Sequence, residues 1–127
     1  MAVNTERQEI DILAGLAIIQ VDDAINSGAD ADDLYVGAAV LYMLEIRNTA
    51  NLAQKNYCRF YNSTAAAPGT DAPEMSIPCT AGATVRMSIH PGYSFGTGIS
   101  IGVGTTGGTA GATAPTSDVG LTLVATT

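Results

Sequence analysis

Apolar and polar positions alternate through most of the second half of the chain. From Thr84 to His90 the apolar set is Val85, Met87 and Ile89, and the interleaved set is Thr84, Arg86, Ser88 and His90. Period two is the signature of a half-buried strand, with Arg86 toward solvent. Ile99, Ile101 and Val103 repeat it opposite Gly98, Ser100, Gly102 and Gly104, and Val119, Leu121 and Leu123 repeat it against Gly120 and Thr122. Such small residues along one strand face predict that something packs closely there, or that the sheet bends.

Val36 to Asn48 reads as one long strand. Glu45 and Arg47 belong outside, so unbroken alternation assigns Val40, Tyr42, Leu44 and Ile46 to the core and leaves Leu41 and Met43 on the outer face. Lys55 to Tyr61 is a further strand, dense in β-formers, and Met75 and Ile77 mark a short one between Pro73 and Pro78. Between these runs lie turn-rich stretches at Asn48–Asn51, Ser63–Thr70, Ala81-Gly82 and His90-Pro91-Gly92. The longest, 105–117, is almost wholly Gly, Thr, Ala and Pro and is expected to be a mobile surface loop, too poor in large side chains to pack. Seven or eight strands without βα alternation predict an all-β fold, an antiparallel β-sandwich of jelly-roll or immunoglobulin-like type.

The N-terminal third differs. Thr5-Glu6-Arg7-Gln8 has capping-box spacing, and a short helix from Glu6 to about Ala14 would align Ile10, Leu13 and Ala14, although the same residues would also serve as one limb of a β-hairpin. Leu16 to Val21 has the make-up of a buried first strand, followed by an acidic loop from Asp22 to Asp33. The expected organisation is an N-terminal arm over residues 1–15 and a single sandwich domain over 16–127, a size suited to one core. With no Trp and few other aromatics, that core must be built from Val, Ile, Leu, Met and Ala.

Charge narrows the function. Eight of the twelve acids fall in the first 33 residues against Arg7 alone, so that segment carries the whole net charge of −7 and the remainder is formally balanced. A chain with a single Lys lacks the cationic footprint that binds nucleic acid or anionic lipid, and no run is long and apolar enough to span a bilayer. The first residues lack the pattern of a secretory signal, which points to synthesis in a cytoplasm and to Cys58 and Cys79 as two buried reduced thiols, with a disulfide between them as the alternative.

Candidate chemistry is thin. His90 is the one histidine, and grouping it with Ser117 and Asp118 as a triad has no support from spacing. Asp22, Asp23, Asp30, Asp32 and Asp33 could offer oxygens to Ca²⁺ but do not follow the EF-hand order, and a solvated acidic loop is the simpler reading. The stretch Gly102 to Gly108 lacks the Lys and helix of a phosphate loop. No catalytic residue, cofactor or metal site is expected, and the protein is read as a non-enzyme.

A series of short phrases carries a resemblance: Leu44-Glu45-Ile46-Arg47-Asn48-Thr49-Ala50, Cys58-Arg59-Phe60-Tyr61-Asn62, Pro68-Gly69-Thr70-Asp71-Ala72-Pro73 leading to Ile77-Pro78, Ala81-Gly82-Ala83-Thr84-Val85, Phe95-Gly96-Thr97-Gly98-Ile99-Ser100 and Ser117-Asp118-Val119. In this order they resemble small β-sandwich virion proteins of tailed bacteriophages, over about two thirds of the chain. The resemblance implies a capsid decoration (cement) protein or a head, neck or tail accessory, assembled into the virion in the host cytoplasm. It implies contacts with the major capsid protein or other virion proteins, and self-association, with a trimer matching local three-fold axes. Candidate contacts are Ile10, Ile12 and Leu13 of the arm and Leu41 and Met43 of the outer face; the alternative is that all five complete the monomer core.

Overall fold

The computed structural model describes residues 5–10, 16–25, 31–111 and 113–127, and for 5–10, 16–25 and 32 it describes the backbone. Nine strands are present among them and no helix: β1 (Thr5–Ile10), β2 (Leu16–Ile25), β3 (Asp32–Val36), β4 (Ala39–Arg47), β5 (Asn56–Tyr61), β6 (Met75–Cys79), β7 (Thr84–Phe95), β8 (Gly98–Gly104) and β9 (Val119–Thr126). They form two antiparallel sheets, ordered β1-β2-β9-β4-β7 and β3-β8-β5-β6. From β2 to β9 the chain changes sheet at every connection except β5 to β6.

Alternation explains the core that the sheets share. Leu121 and Leu123 of β9, Leu44 and Ile46 of β4, and Val119 come from the larger sheet. Cys58 and Phe60 of β5, Ile77 and Cys79 of β6, and Ile99, Ile101 and Val103 of β8 come from the smaller. The result is a sandwich-like all-β body with one apolar interior. Pro78 is tolerated inside β6 because that strand is the edge of its sheet, where a missing N–H breaks no second ladder.

The long strand expected from Val36 to Asn48 is two. Gly37, at φ +119°, breaks it in a backbone conformation that L residues rarely adopt, and β3 and β4 enter different sheets on either side. Within β4 the alternation also slips. Leu41 pairs with Tyr93 and Ala125, but Met43 pairs with Ser88 and Val124, so Tyr42 is an extra residue against β9 and faces a longer excursion of β7. A bulge exchanges the faces of everything on one side of it. Ala39 and Leu41 therefore point inward, as do Leu44 and Ile46, while Val40 and Tyr42 are only half-buried. The expectation that Leu41 lies on the outer face is thus corrected: it is fully buried, whereas Met43 is 51% exposed. Gly92 makes the excursion possible. It sits at φ +114°, and a Cβ there would come within 2.6 Å of Val40 and 2.8 Å of Tyr42.

The N-terminal expectation changes as well. Residues 5–10 are a strand, paired from Thr5↔Val21 to Ile10↔Leu16, the hairpin limb given as the alternative and not the helix over 6–14. A nine-residue helix is marginal on its own, whereas the open edge of β2 supplies a complete ladder of partners. β2 also runs through Asp22 and Asp23, and β3 includes Asp32 and Asp33, so four of the five acids assigned to a loop lie in strands. Ile10 ends β1; Ile12 and Leu13 lie outside the described residues.

Candidate functional site

Three regions of the surface were built by different means, and their chemistry differs accordingly. On the outer face of the larger sheet, the register sets Met43 beside Val124, Glu45 beside Thr122 and Arg86, and Arg47 beside Gly120. Glu45 Oε1 accepts from Arg47 Nη1 at 2.8 Å and Oε2 accepts from Arg86 Nε at 2.7 Å; Arg47 Nη1 also donates to Thr122 Oγ1 at 2.9 Å. Hydrogen bonds from Arg47 and then Arg86 hold the Glu45 carboxyl below its usual range. Arg47 lies flat over Gly120, where a Cβ would come within 2.8 Å of Nε, which accounts for one of the small residues noted in β9. Next to this cluster, Met43, Thr122, Val124, Ser88 and Met87 border a shallow groove of about 290 Å³. The face is therefore mixed: apolar along Met43 and Val124, and charged at Glu45, where one carboxylate meets two guanidinium groups.

The outer face of the smaller sheet is roofed. All six residues of β5 but Tyr57 are buried, and every residue of β8 is buried, because the chain folds back over them. At one end Ser63 and Thr64 cover Gly98, and Ser100 Oγ donates to Ser63 O and to Asp33 Oδ1. At the other, the 105–117 segment lies across β5: Thr105 N donates to Thr113 O at 3.1 Å, and Arg59 Nη1 donates to Gly111 O at 2.7 Å. This segment, expected to be too poor in side chains to pack, packs through its backbone. The small residues of β8 are what allow the approach, since a Cβ on Gly104 would fall 2.8 Å from Arg59 Nη2 and 3.2 Å from Thr113 O.

At the end of the body where β4 leaves and β5 begins, three buried asparagines tie the connections together. Asn48 Nδ2 donates to the carbonyls of Gln54, Cys79 and Thr80 at 2.9, 3.2 and 3.1 Å. Asn48 Oδ1 accepts from Asn51 Nδ2 at 2.8 Å and Asn56 Nδ2 at 2.9 Å. Asn51 then clasps Ser117 through both its amide nitrogen and its oxygen.

None of this gathers the residues of a reaction centre. His90 is exposed in the β7 excursion opposite Tyr42, while Ser117 and Asp118 precede β9 beyond the Arg47↔Gly120 pair. Five residues of strand separate those levels, about 16 Å. Asp33 is held by Ser100, and among the described residues no three His, Cys, Asp or Glu side chains are placed to hold a metal ion. No described helix is long and apolar enough to cross a membrane. Two features escaped the sequence reading. Arg59 carried a weak signal, a charge inside the β-forming run Tyr57 to Tyr61, as in a strand covered on both faces. The asparagine cluster carried none, because Asn in a turn-rich stretch looks the same whether solvated or buried.

Cys58 and Cys79 are free and buried. Burial, with Cys79 nearby, pushes the Cys58 thiol from 9.0 up to about 12; burial raises Cys79 too. A raised thiol favours the neutral folded form, so its contribution is complete below pH 9 and is lost as pH climbs from there toward 12. Native protein at pH 8 is expected to resist iodoacetamide while guanidinium-unfolded protein takes up two labels, counted by intact-mass spectrometry. Equal labelling of the native form would contradict the burial of these thiols.

Compared with known protein families, with curated proteins and with solved structures, the chain gives no match.

Proposed function

We propose that this chain is a structural virion protein of jelly-roll type, acting as a capsid decoration (cement) protein that binds across capsomers. The observation that carries this reading is the strand order. Leaving β1 aside, β2-β9-β4-β7 faces β3-β8-β5-β6, with the chain passing between sheets as two interleaved Greek keys. This order supports the jelly-roll reading, the double-sheet arrangement on which viral capsid domains are built and which lectins and cupins share. Fold alone does not assign function. The order of motifs that resembles phage virion proteins selects among those uses. The absence of Trp from the sequence weighs against a lectin-like sugar platform.

A cement protein acts by burying surface against its neighbours, so it needs a rigid body and an adhesive face more than a pocket. The outer face of the larger sheet offers Met43 and Val124 as apolar contact surface beside the Glu45–Arg47–Arg86 cluster, whose one carboxylate against two guanidinium groups leaves a positive charge for a partner's carboxylate. Quantitative mass spectrometry of purified particles, with heads and tails separated, tests the reading. Hundreds of copies per head are expected, and Met43→Asp should keep its fold and lose head occupancy. A dozen or fewer copies confined to tails would replace this reading with a neck, tail or fibre module, and absence from both fractions would end it.

A further inference from the structure

Of the four edge strands among the described residues, three are guarded. β1 carries Glu6, Arg7 and Glu9, β3 carries Asp32 and Asp33, and β6 is five residues long with Pro78 inside it. Charges, prolines and shortness are the devices that keep an edge from pairing with another chain. β7 is the exception. It ends the larger sheet and runs for 12 residues, and from Thr84 to His90 it has one formal charge, Arg86, and no proline. Pairing with β4 uses alternate N–H and C=O groups of this run and turns the others outward.

The side chains along this edge are incomplete in the same sense. Met87 lies opposite Leu44 and so faces the core, yet it is 41% exposed, because no described strand flanks it on the far side. Val85 and Ile89, on the same face, are only partly buried. On the outer face Arg86 binds Glu45 through Nε, but its side chain stays 76% exposed, and Glu45 serves Arg47 as well. Two guanidinium groups against one carboxylate leave one positive charge at the rim of the sheet. Beside Arg86, the small side chain of Ser88 is what separates the edge from Met43, its cross-strand partner, and from the groove that Met43 and Val124 border.

We propose that the 84–89 edge of β7 takes up an extended segment of a partner protein as a further antiparallel strand, with an acidic residue opposite Arg86 and apolar residues opposite Met87 and Ser88. Main-chain hydrogen bonds to the open edge hold the segment, and its side chains select it. The acid meets the surplus guanidinium charge, the residue opposite Met87 covers the open core face, and the one opposite Ser88 reaches over it to Met43. A second copy of β7 does not meet this description, since it brings no acid and only another Arg86. The inference names the partner chemistry of the docking face and rests on that reading of it.

The probe is the synthetic peptide acetyl-Thr-Thr-Leu-Val-Glu-Thr-Thr-amide, titrated into uniformly ¹⁵N-labelled protein and followed by the amide resonances. Saturable shifts confined to 84–89 and the facing residues of β4 are expected. Replacing the peptide's Glu by Lys should weaken binding about fivefold. Arg86→Glu should reverse that preference, so that the Lys peptide binds the more tightly; the wild-type comparison stands even if this variant does not fold. A peptide with Pro-Pro in place of Leu-Val, which removes a ladder donor, should not bind. No saturable shift, equal affinity for the Glu and Lys peptides, equal binding of the Pro-Pro peptide, or shifts centred on another edge would each overturn the proposal. So would outward amides of 84–89 already protected from exchange in the protein alone. The titration uses no particles, so a failed copy count and a failed titration are told apart.

Discussion

Asn48→Leu is expected to lower the unfolding free energy by about 4 kcal/mol, a loss large enough to remove much of the stability of a domain this size. Leucine fits the volume but offers neither amide nor carbonyl. The buried carbonyl of Cys79 and those of Gln54 and Thr80 lose their shared donor, and Asn56 Nδ2 loses its acceptor, Asn48 Oδ1. Asn51 keeps Ser117 but loses Asn48, so the clasp between the β4–β5 connection and the segment before β9 loosens too. Each buried polar group left unpaired costs about 1–3 kcal/mol, and several are orphaned together. Asn62→Leu provides the comparison: its Oδ1 accepts only from Thr97 N, at an exposed position, and the loss should stay under about 1 kcal/mol. Urea titration with an unchanged slope measures both. Equal effects at the two sites would mean that water replaces the Asn48 bonds and that the cluster is no hub.

Leu41→Ala is expected to cost about 3 kcal/mol, and Met43→Ala less than about 0.5 kcal/mol. Truncating Leu41 opens a cavity where the shared core cannot readily collapse, because the side chain is fully buried between the sheets. Met43, two residues on, loses only surface contacts. The pair reads out the bulge at Tyr42 directly, since an unbroken strand would place both residues on one face and give them similar values. Comparable losses would show that the alternation is not interrupted there.

The same two residues mark what sequence could and could not convey. Strands with clean alternation, β8 and β9, were legible because every second residue meets the core and nothing disturbs the count. The β4 assignment failed at Leu41 because a bulge inserts one residue without leaving a composition signal in β4 itself; the Pro91-Gly92 pair that shapes the opposing excursion is far away in sequence. The N-terminal strand was legible only as the alternative, a hairpin limb, for a related reason. A capping box is a local pattern, whereas β1 exists because β2 has an open edge, a property of the assembled sheet. At the surface, the small residues of β8 did announce a close approach, yet not that a Gly/Thr/Ala-rich segment makes it by backbone carbonyls, nor that Arg59 lies beneath. Side-chain patterns report what side chains bury and are silent on what a main chain covers.

The position of β9 sets the order in which this molecule can come into being. It lies between β2 and β4, hydrogen-bonded to both, yet it emerges from the ribosome after the other eight described strands. Until it arrives, the larger sheet is two separate fragments, β1-β2 and β4-β7, each with an open inner edge and half an apolar face. The smaller sheet has its four strands by Gly104 and can pair first. Cooperative closure thus waits on a single late insertion joining segments that are distant in sequence, the topology that makes folding slow. During that interval two unpaired edges stand ready to accept a strand from another copy, so crowded nascent chains are exposed to exchange of β9 between neighbours.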